Sequence, residues 1–313
     1  MLTLNIPNFD LRQTAASGQC FRMNPVTASG VAADSAAAGT FGMSSDSGCR
    51  YSVISQGYYL ELSQSGTSFH FYCPDEEFPF WRRYFDLDTD YGRCISSVKK
   101  KDLYLQKAAE AGNGIRILNQ DPWEMILTFI ISQQKTIPKI KEAVEALSLS
   151  YGTKKAVFLP DSGTERIFTA FPDARSLSAA SLEDLKALKL GYRAKYIYRI
   201  CQDCHEGTLD LQHLAALNYE DAMEYLTGFY GIGTKVANCI CLFGLHHIEA
   251  FPVDTWIEQI LTEHYYRKKY DALPKSRLYE TIIKDNFGCY KGYACIMQQY
   301  IFYYERLCRN KII

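Results

Sequence analysis

The sequence predicts an α+β fold, with antiparallel strands confined to roughly the first 100 residues and helices in the rest of the chain. Runs of β-forming residues flank the pair Gln56-Gly57, which is typical of a hairpin turn. From residue 78 onward, apolar residues recur at helical spacing instead. At 313 residues the chain is long enough to bury a full core, and we expect two or three subdomains.

Composition and charge are those of an ordinary globular protein. Hydrophobic residues make up 47% of the chain and charged residues 22%. No apolar run reaches the ~18 residues of a membrane span, and no secretory signal is evident, so a cytoplasmic protein without a membrane partner is the simplest interpretation. The 11 scattered cysteines suggest buried thiols. A net charge of −1 argues against a non-specific DNA coat but allows a local basic face.

Three strands are predicted in the N-terminal part. Residues 49–55 and 58–63 form the hairpin around Gln56-Gly57, and residues 68–73 form another short strand. Residues 24–48 are rich in Ala, Ser and Gly, a composition that does not easily pack a core. We therefore expect this segment to be a mobile loop inserted between strands.

Several predicted helices have recognisable start signals. Asp121 fits an N-cap and Pro122 the first position of an apolar helix over residues 123–132. Ser181 and Asp184 fit a capping box at the start of another helix. The remaining predicted helices cover residues 78–85, a segment from 103, 137–147, 181–188, 194–206, 219–226, 234–243, 255–265, 276–286 and 295–309.

The most informative segment is the turn Gly231-Ile232-Gly233 between two of these helices. Two glycines around one apolar residue let the backbone approach another chain closely, while Ile232 attaches the turn to the core. The unpaired N–H groups at the start of the next helix, beginning at Thr234, suit a phosphate. This is a helix-hairpin-helix pattern, which binds a DNA backbone without reading its sequence. A plain αα-hairpin with a glycine turn is the alternative.

Lys235 and Asp254 are the candidate reactive groups near this turn. Lys235 lies on the first helical turn, where the helix dipole disfavours a cation and so favours the neutral amine that a nucleophile needs. A random exposed lysine is the alternative. Asp254 follows Pro252-Val253 and precedes a helix, so it is a natural N-cap that can also face a pocket.

Four motifs, in order along the chain, carry a resemblance to a known family. They are SGQCFR (17–22), ISQQK (131–135), LGYRAKY (190–196) and GIGTKVANCICL (231–242), the last followed by Asp254. Together they resemble the helix-hairpin-helix DNA glycosylase superfamily, and the 8-oxoguanine DNA glycosylase branch in particular. The likeness covers nearly the whole chain.

The resemblance implies a domain organisation and a setting. It implies a TATA-binding-protein-like antiparallel β subdomain over residues 1–115 and an all-α helix-hairpin-helix glycosylase domain, in two subdomains, over residues 116–313. It also implies a monomer that acts on double-stranded DNA containing an oxidised purine, in a bacterial nucleoid or in a nucleus. No cofactor and no metal are expected.

The same resemblance assigns roles in catalysis and base recognition. Lys235 attacks C1′ of the damaged nucleotide to give a Schiff base, and Asp254 stabilises the positive charge that develops on the sugar. The Gly18 carbonyl accepts a hydrogen bond from N7–H, which 8-oxoguanine has and guanine lacks. Cys239 stacks on the flipped base and Pro252 belongs to the same pocket. A plain turn glycine and a plain core thiol are the alternatives for Gly18 and Cys239.

The last helix is expected to supply the other side of the base pocket, in a register that the sequence leaves open. The family has a glutamine soon after a glycine and a phenylalanine four residues later. Gln298 and Phe302 fit that spacing with three extra residues, whereas an ungapped comparison selects Cys295 and Gln299. We favour Gln298 and Phe302, because Gln can bond a purine edge and Phe can stack on it.

Four further positions are expected at the DNA surface. Tyr192 enters the gap left by the flipped nucleotide and Arg193 contacts its surroundings. Gln134 and Lys139 occupy positions that face the opposite base. Lys139 stands where eukaryotic relatives commonly have arginine, which puts strict selection of cytosine in doubt. A core tyrosine at a helix start is the alternative for Tyr192.

Two cysteine patterns are discounted. Cys201, Cys204 and His205 match the short haem-attachment pattern but lie in a predicted helix. Cys289, Cys295 and Cys308 do not reproduce the tight spacing of the iron–sulfur loop found in the endonuclease III branch.

The leading hypothesis is a bifunctional 8-oxoguanine DNA glycosylase and abasic-site lyase. A glycosylase for alkylated bases that uses water is the first alternative, although those relatives generally lack the lysine. A catalytically silent helix-hairpin-helix DNA-binding protein is the second, and Lys235 together with Asp254 argues against it.

Overall fold

A five-stranded antiparallel sheet forms the N-terminal part of the computed structural model, which describes residues 2–26 and 48–309. Its strands lie in the spatial order β1-β5-β4-β3-β2, and every neighbouring pair is antiparallel. They are β1 (Leu2–Asn5), β2 (Met23–Pro25), β3 (Cys49–Ser55), β4 (Tyr58–Ser65) and β5 (Ser68–Tyr72). The prediction of a β-rich N-terminal part is confirmed.

The β3–β4 turn has the backbone that its sequence predicts. Gln56 and Gly57 both have positive φ, 49° and 76°, the combination of a type I′ hairpin turn. The turn pairs Ser55 with Tyr58 and sets the register of the strands. In that register Leu60 and Leu62 are fully buried against the core of the sheet.

The predicted loop over residues 24–48 needs one correction. Asn24 and Pro25 belong to β2, where they pair with Ser52 and Tyr51 of β3, so this end of the segment extends the sheet. Residues 27–47 lie outside the described residues, and the expectation of a mobile loop remains untested there.

Helices dominate the remainder of the chain. The N-terminal ones are α1 (Leu11–Ala16), α2 (Phe78–Tyr84), α3 (Tyr91–Ser96), α4 (Leu103–Ala111), α5 (Pro122–Ser132) and α6 (Ile137–Tyr151). The later ones are α7 (Ala174–Ser178), α8 (Leu182–Ala187), α9 (Arg193–His205), α10 (Leu211–Ala216), α11 (Tyr219–Thr227), α12 (Thr234–Phe243), α13 (Thr255–Ile260), α14 (Lys275–Phe287) and α15 (Ala294–Cys308). A π-helical turn, Leu261–Tyr265, continues α13. None of the helices in the described ranges is long and apolar enough to cross a membrane.

Two large cores lie under these elements. One fills the space beneath the sheet and is closed by Trp81, Tyr84 and Phe85. The other joins the helices, and it includes Leu105 of α4 as well as Tyr300 of α15. Because α4 belongs to the helical core, the packing does not follow the predicted boundary after residue 115, and that boundary stays a prediction.

The helical region is not all-α, which corrects the prediction. A hairpin of β6 (Lys154–Leu159) and β7 (Thr164–Thr169) lies between α6 and α7. The hairpin packs on the N-terminal sheet through Phe168, whose ring centroid is 5.3 Å from that of Tyr59. The buried Arg22 also donates to the Thr169 carbonyl at 2.6 Å. The hairpin is therefore attached to the N-terminal sheet, where Tyr59, Leu159 and Phe168 form a small core of their own.

Candidate active site and DNA-facing surface

The turn before α12 packs tightly against α9 and leaves the start of α12 exposed. Gly231 has φ +92°, and a Cβ there would lie 2.4 Å from Cγ of Tyr196, so only glycine fits. Ile232 is buried and attaches the turn to the helical core. Gly233 is the N-cap of α12, and both Gly233 and Thr234 are exposed. The first N–H groups of the helix can thus meet a phosphate, as the sequence predicts.

Lys235 is half-buried on the first turn of α12. Its Nζ lies 5.4 Å from the ring centroid of Phe129 on α5. Cys239, one helical turn later, is 3% exposed. Burial raises the pKa of the Cys239 thiol, the Lys235 charge and hydrogen bond lower it, and the Asp254 charge raises it. Lys235 and Asp254 thus both lie close enough to the buried Cys239 sulfur to shift the pKa of that thiol.

Asp254 caps a helix, and its charge also acts on the Cys239 thiol. It is the N-cap of α13, and its Oδ1 accepts hydrogen bonds from the N–H groups of Trp256 at 3.0 Å and Ile257 at 2.9 Å. Both bonds go to one carboxylate oxygen, so capping is compatible with a second contact through Oδ2. The two interpretations of Asp254 left open by the sequence do not exclude each other.

The N-terminal loop meets the last helix at Gly18. Gly18 has φ +84°, and a Cβ there would lie 3.5 Å from Cε1 of Phe302 and 3.4 Å from Cδ1 of Ile137. Gln298 is 3% exposed, and its Nε2 donates to the Pro252 carbonyl at 3.3 Å. Phe302 thus faces Gly18, while Gln298 contacts the segment that carries Asp254.

The alternative register of α15 has a different environment. Cys295 is fully buried in the helical core, where burial raises its pKa, and Cys94 is among its neighbours. Gln299 is also buried, and its Nε2 donates to Oε1 of Gln298 at 2.7 Å. The placement favours the pair Gln298 and Phe302 for contact with a base, although their binding role stays a prediction.

A second group of predicted residues lies at an exposed edge. Tyr192, just before α9, is 44% exposed and its ring meets the edge of Tyr196 at 5.7 Å. Gln134 is exposed and has φ +51° in the loop between α5 and α6. Lys139 is exposed, and its Nζ is 2.7 Å from Oε2 of Glu142.

Arg193 is placed differently from the prediction. It is 7% exposed, and its guanidinium donates to the carbonyl of Gln133, through Nε at 2.7 Å, and to that of Leu190 at 3.3 Å. Its Cζ also lies 4.4 Å from the ring centroid of Tyr192. Because its donors bond to backbone carbonyls, Arg193 supports Tyr192 and the loop at Gln133 in this structure and does not present a free surface for DNA.

Gln133 was not singled out by the sequence, although it lies in the ISQQK motif. Its Nε2 donates to the Gly231 carbonyl at 2.9 Å, and its own carbonyl accepts from Arg193. One residue thereby connects the loop that bears Gln134, the segment that bears Tyr192 and the helix-hairpin-helix turn. Its position directly before Gln134 was the one sequence feature that pointed to a role at this surface.

Gln19 is the other residue that the sequence did not single out. It is fully buried, its Nε2 donates to the Arg116 carbonyl at 2.8 Å, and its Oε1 accepts from the N–H of Leu118 at 2.8 Å. These bonds attach the loop that carries Gly18 to the core. A glutamine between a glycine and a cysteine in the SGQCFR motif was the signal that could have indicated it.

The discounted cysteine patterns have ordinary surroundings. Cys201 is buried in the core on α9, and burial raises its pKa to about 12. Within residues 2–26 and 48–309, no group of three or more His, Cys, Asp or Glu side chains is arranged to hold a metal ion.

Comparison with known proteins identifies both parts of the chain. Residues 1–126 match the family described as 8-oxoguanine DNA glycosylase, N-terminal domain. Residues 127–282 match the HhH-GPD superfamily base excision DNA repair protein. Among solved structures, the Clostridium acetobutylicum 8-oxoguanine glycosylase/lyase, in complex with double-stranded DNA containing cytosine opposite to 8-oxoG, superposes with a TM-score of 0.80. It is 32% identical, and the match covers 97% of this chain and 94% of that one.

Curated relatives agree with this result. The N-glycosylase/DNA lyase of Saccharomyces cerevisiae is 33% identical over 68% of this chain and 63% of its own length. The N-glycosylase/DNA lyase OGG1 of Arabidopsis thaliana is 32% identical over 67% of this chain and 58% of its own length. The chain thus spans about three fifths of the curated relatives it matches. On its sequence motifs, its fold and these matches, the chain belongs to the 8-oxoguanine DNA glycosylase family of the helix-hairpin-helix superfamily.

Proposed function

We propose that this chain is a base excision repair enzyme that removes 8-oxoguanine from duplex DNA and then cleaves the abasic site. The observation that carries the proposal is the position of Lys235: its amine lies 5.4 Å from the Phe129 ring centroid and, like Asp254, close enough to the buried Cys239 sulfur to shift the pKa of that thiol. A lysine nucleophile, a neighbouring anion and a small side chain that admits a flat base are the parts this reaction requires.

The proposed chemistry runs through a covalent imine. The neutral Lys235 amine attacks C1′, the C1′–N9 bond breaks, and the bonding electrons leave with the purine, which takes up a proton. The amine then loses one proton, and the C1′–O4′ bond of the sugar ring breaks, with O4′ taking up a proton, to give the protonated Schiff base. Removal of a C2′ proton then expels the 3′ phosphate by β-elimination. Asp254 offsets the positive charge that forms on the sugar and on the imine.

The base would lie between Cys239 and Phe302, with its N7–H directed at the Gly18 carbonyl. Guanine has no hydrogen at N7, so the buried carbonyl would remain unpaired with the normal base, which is costly. Gln298 would bond the Watson–Crick edge. Its Nε2 would have to leave the Pro252 carbonyl, to which it donates at 3.3 Å in this structure.

The duplex would lie along the exposed edge around Tyr192. Lys189 and Lys195, which flank Tyr192 in the chain, are exposed, and Lys139 is exposed but paired with Glu142. Lys135 belongs to the same face, and its pKa is lowered by partial burial and by the charges of Arg193 and Lys139. This local basic surface supports contact with phosphates although the net charge is −1. Tyr192 would fill the gap left by the flipped nucleotide.

Borohydride trapping on an 8-oxoguanine duplex tests the proposal. Wild type should form a covalent adduct with DNA, and Lys235→Gln should form none and lose base excision by at least about 10³-fold, because no other amine replaces the nucleophile. Free base without an adduct would instead support the water-dependent glycosylase of alkylated bases. Binding with neither product would support the silent DNA-binding protein, and an adduct in Lys235→Gln would mean that another amine reacts.

Assembly and location are part of the same proposal. One chain contains every residue assigned to catalysis and to reading of the duplex, so a monomer is sufficient, and light scattering of the purified protein measures this. The enzyme would act where genomic DNA lies, in a nucleoid or a nucleus. Trapping across all four opposite bases would show whether Lys139 permits strict selection of cytosine.

A further inference from the structure

Arg306, on the last helix, contacts both sides of the proposed base pocket. Its Nη1 donates to the Ala16 carbonyl at 2.7 Å, two residues before Gly18. Its Cζ lies 5.5 Å from the ring centroid of Phe302. A Cβ placed on Gly18 would lie 3.7 Å from the same Nη1. One guanidinium therefore joins the N-terminal loop to α15 at the point where Gly18 faces Phe302.

Gly18 lies between two anchored stretches of the chain, and Arg306 holds the one that precedes it. Gln19 attaches the following residues to the segment around Arg116 and Leu118. On the preceding side, Ser17 Oγ donates to the Thr14 carbonyl of α1 at 2.7 Å and accepts from Gln19 Nε2 at 2.9 Å. The Arg306 bond ties the same end of α1 to α15. A rotation of the Gly18 peptide would redirect its carbonyl, so a bond at Ala16 restricts the direction of the proposed N7–H acceptor.

The environment of Arg306 strengthens this bond. The side chain is half-buried, and burial lowers its pKa from the ordinary arginine value. A charged donor to a carbonyl in a partly water-free setting is stronger than a neutral hydrogen bond. Its flat face against Phe302 also restricts the ring that would stack on the base.

We propose that Arg306 is a specificity-positioning residue that holds the Gly18 carbonyl and the Phe302 ring in the geometry that admits an 8-oxopurine. The inference rests on the proposed function. Arg306 acts through Gly18 and Phe302 on a step that needs a base in the pocket. The β-elimination step on a site that has already lost its base does not need this geometry.

The experiment compares these two steps in Arg306→Met, which keeps the length and the apolar contact but loses the donors. Single-turnover release of 8-oxoguanine should fall about tenfold or more, since one charge-assisted hydrogen bond is lost. Strand cleavage at a preformed abasic site should stay within about twofold of wild type. Arg82→Met, which removes an exposed arginine paired with Asp88, is the matched control and should change neither rate.

Each outcome decides the inference. Unchanged excision in Arg306→Met overturns it, and an equal fall of both rates overturns it too, because that pattern indicates a general structural role. If Arg306→Met does not fold, Arg306→Lys replaces it. A smaller fall in 8-oxoguanine release, with cleavage of the preformed abasic site unchanged, supports the inference. An equal fall of both rates, or no fall in either, contradicts it. If wild type itself releases no 8-oxoguanine, the proposed function fails first and the inference falls with it.

Discussion

Cys239, in the pocket wall, is 3% exposed, whereas Tyr192, on the surface proposed to face DNA, is 44% exposed. The proposed pocket draws on the loop before β2, on α12, on the turn before α13 and on α15. The surface is carried by two loops and one turn, whose supporting contacts run through backbone carbonyls such as those of Gln133 and Gly231.

This difference predicts two kinds of mutational effect, one on the rate of the chemical step and one on the affinity for DNA. In the proposed pocket, each side chain is assigned a chemical role that its neighbours cannot take over, so substitutions should change the rate of the chemical step. At the exposed surface, binding is spread over aromatic, basic and backbone groups, so single substitutions should change affinity by smaller factors. Three predictions test the separation, from the largest expected effect to the smallest.

Asp254→Asn should separate catalysis from capping. Asparagine caps a helix about as well as aspartate, so the free energy of unfolding should change by less than about 1 kcal/mol. The negative charge is lost, so single-turnover excision should fall about 10²- to 10³-fold. Thermal unfolding and excision kinetics measure the two effects. Asp254→Ala should lose both stability and rate. Wild-type excision by Asp254→Asn would show that the carboxylate only caps α13.

Tyr192→Ala should weaken base flipping without weakening the fold. A stacked aromatic ring contributes about 1–3 kcal/mol per base, so excision from a duplex should fall about tenfold. The melting temperature should not change, because much of the ring is already in solvent. Tyr192→Phe, which keeps the ring, is the control and should remain within about twofold of wild type. Equal losses in both variants would point to the hydroxyl and contradict a stacking role.

Gln133→Met should have the smallest effect. The variant keeps the side-chain length but loses the donor to the Gly231 carbonyl, and one neutral hydrogen bond corresponds to a loss of about two- to tenfold in duplex affinity. Fluorescence anisotropy measures this. Gln106→Met is matched, because Gln106 is also half-buried and donates to one carbonyl, that of Lys99 at 3.2 Å, but on α4. If both variants bind DNA equally well, Gln133 does not organise the surface.

Much of the fold could be predicted where residues a few positions apart give a clear signal, such as a helix cap or helical periodicity. The helix predicted over residues 234–243 has those bounds as α12, and Asp121 caps α5 as expected. Ser181 and Asp184 form the capping box. The β6–β7 hairpin was missed because Phe158 and Ile167 are 61% and 74% exposed, so apolar residues do not mark its buried face.

The candidate site could be predicted in part, because some of its residues belong to local sequence patterns. Residue types and chain positions indicated Lys235 and Asp254, because a lysine after a glycine turn and an aspartate before a helix are local patterns. Neither the register of α15 nor the burial of Arg193 could be read in this way. Both depend on which distant segment lies opposite the side chain: the loop of Gly18 for Phe302, and the carbonyl of Gln133 for Arg193.

The sequence alone determined many of the elements and indicated the candidate reactive residue types, since caps, positive-φ turns and helical periodicity depend on groups a few positions apart. Only the tertiary structure decided which of these groups meet. Arg306 donates to the carbonyl of Ala16 across 290 positions of the chain, a contact that no local pattern encodes. Such contacts follow from the packing of the whole core. Many elements must bury their apolar faces against one another at the same time before two residues far apart in the chain come within bonding distance.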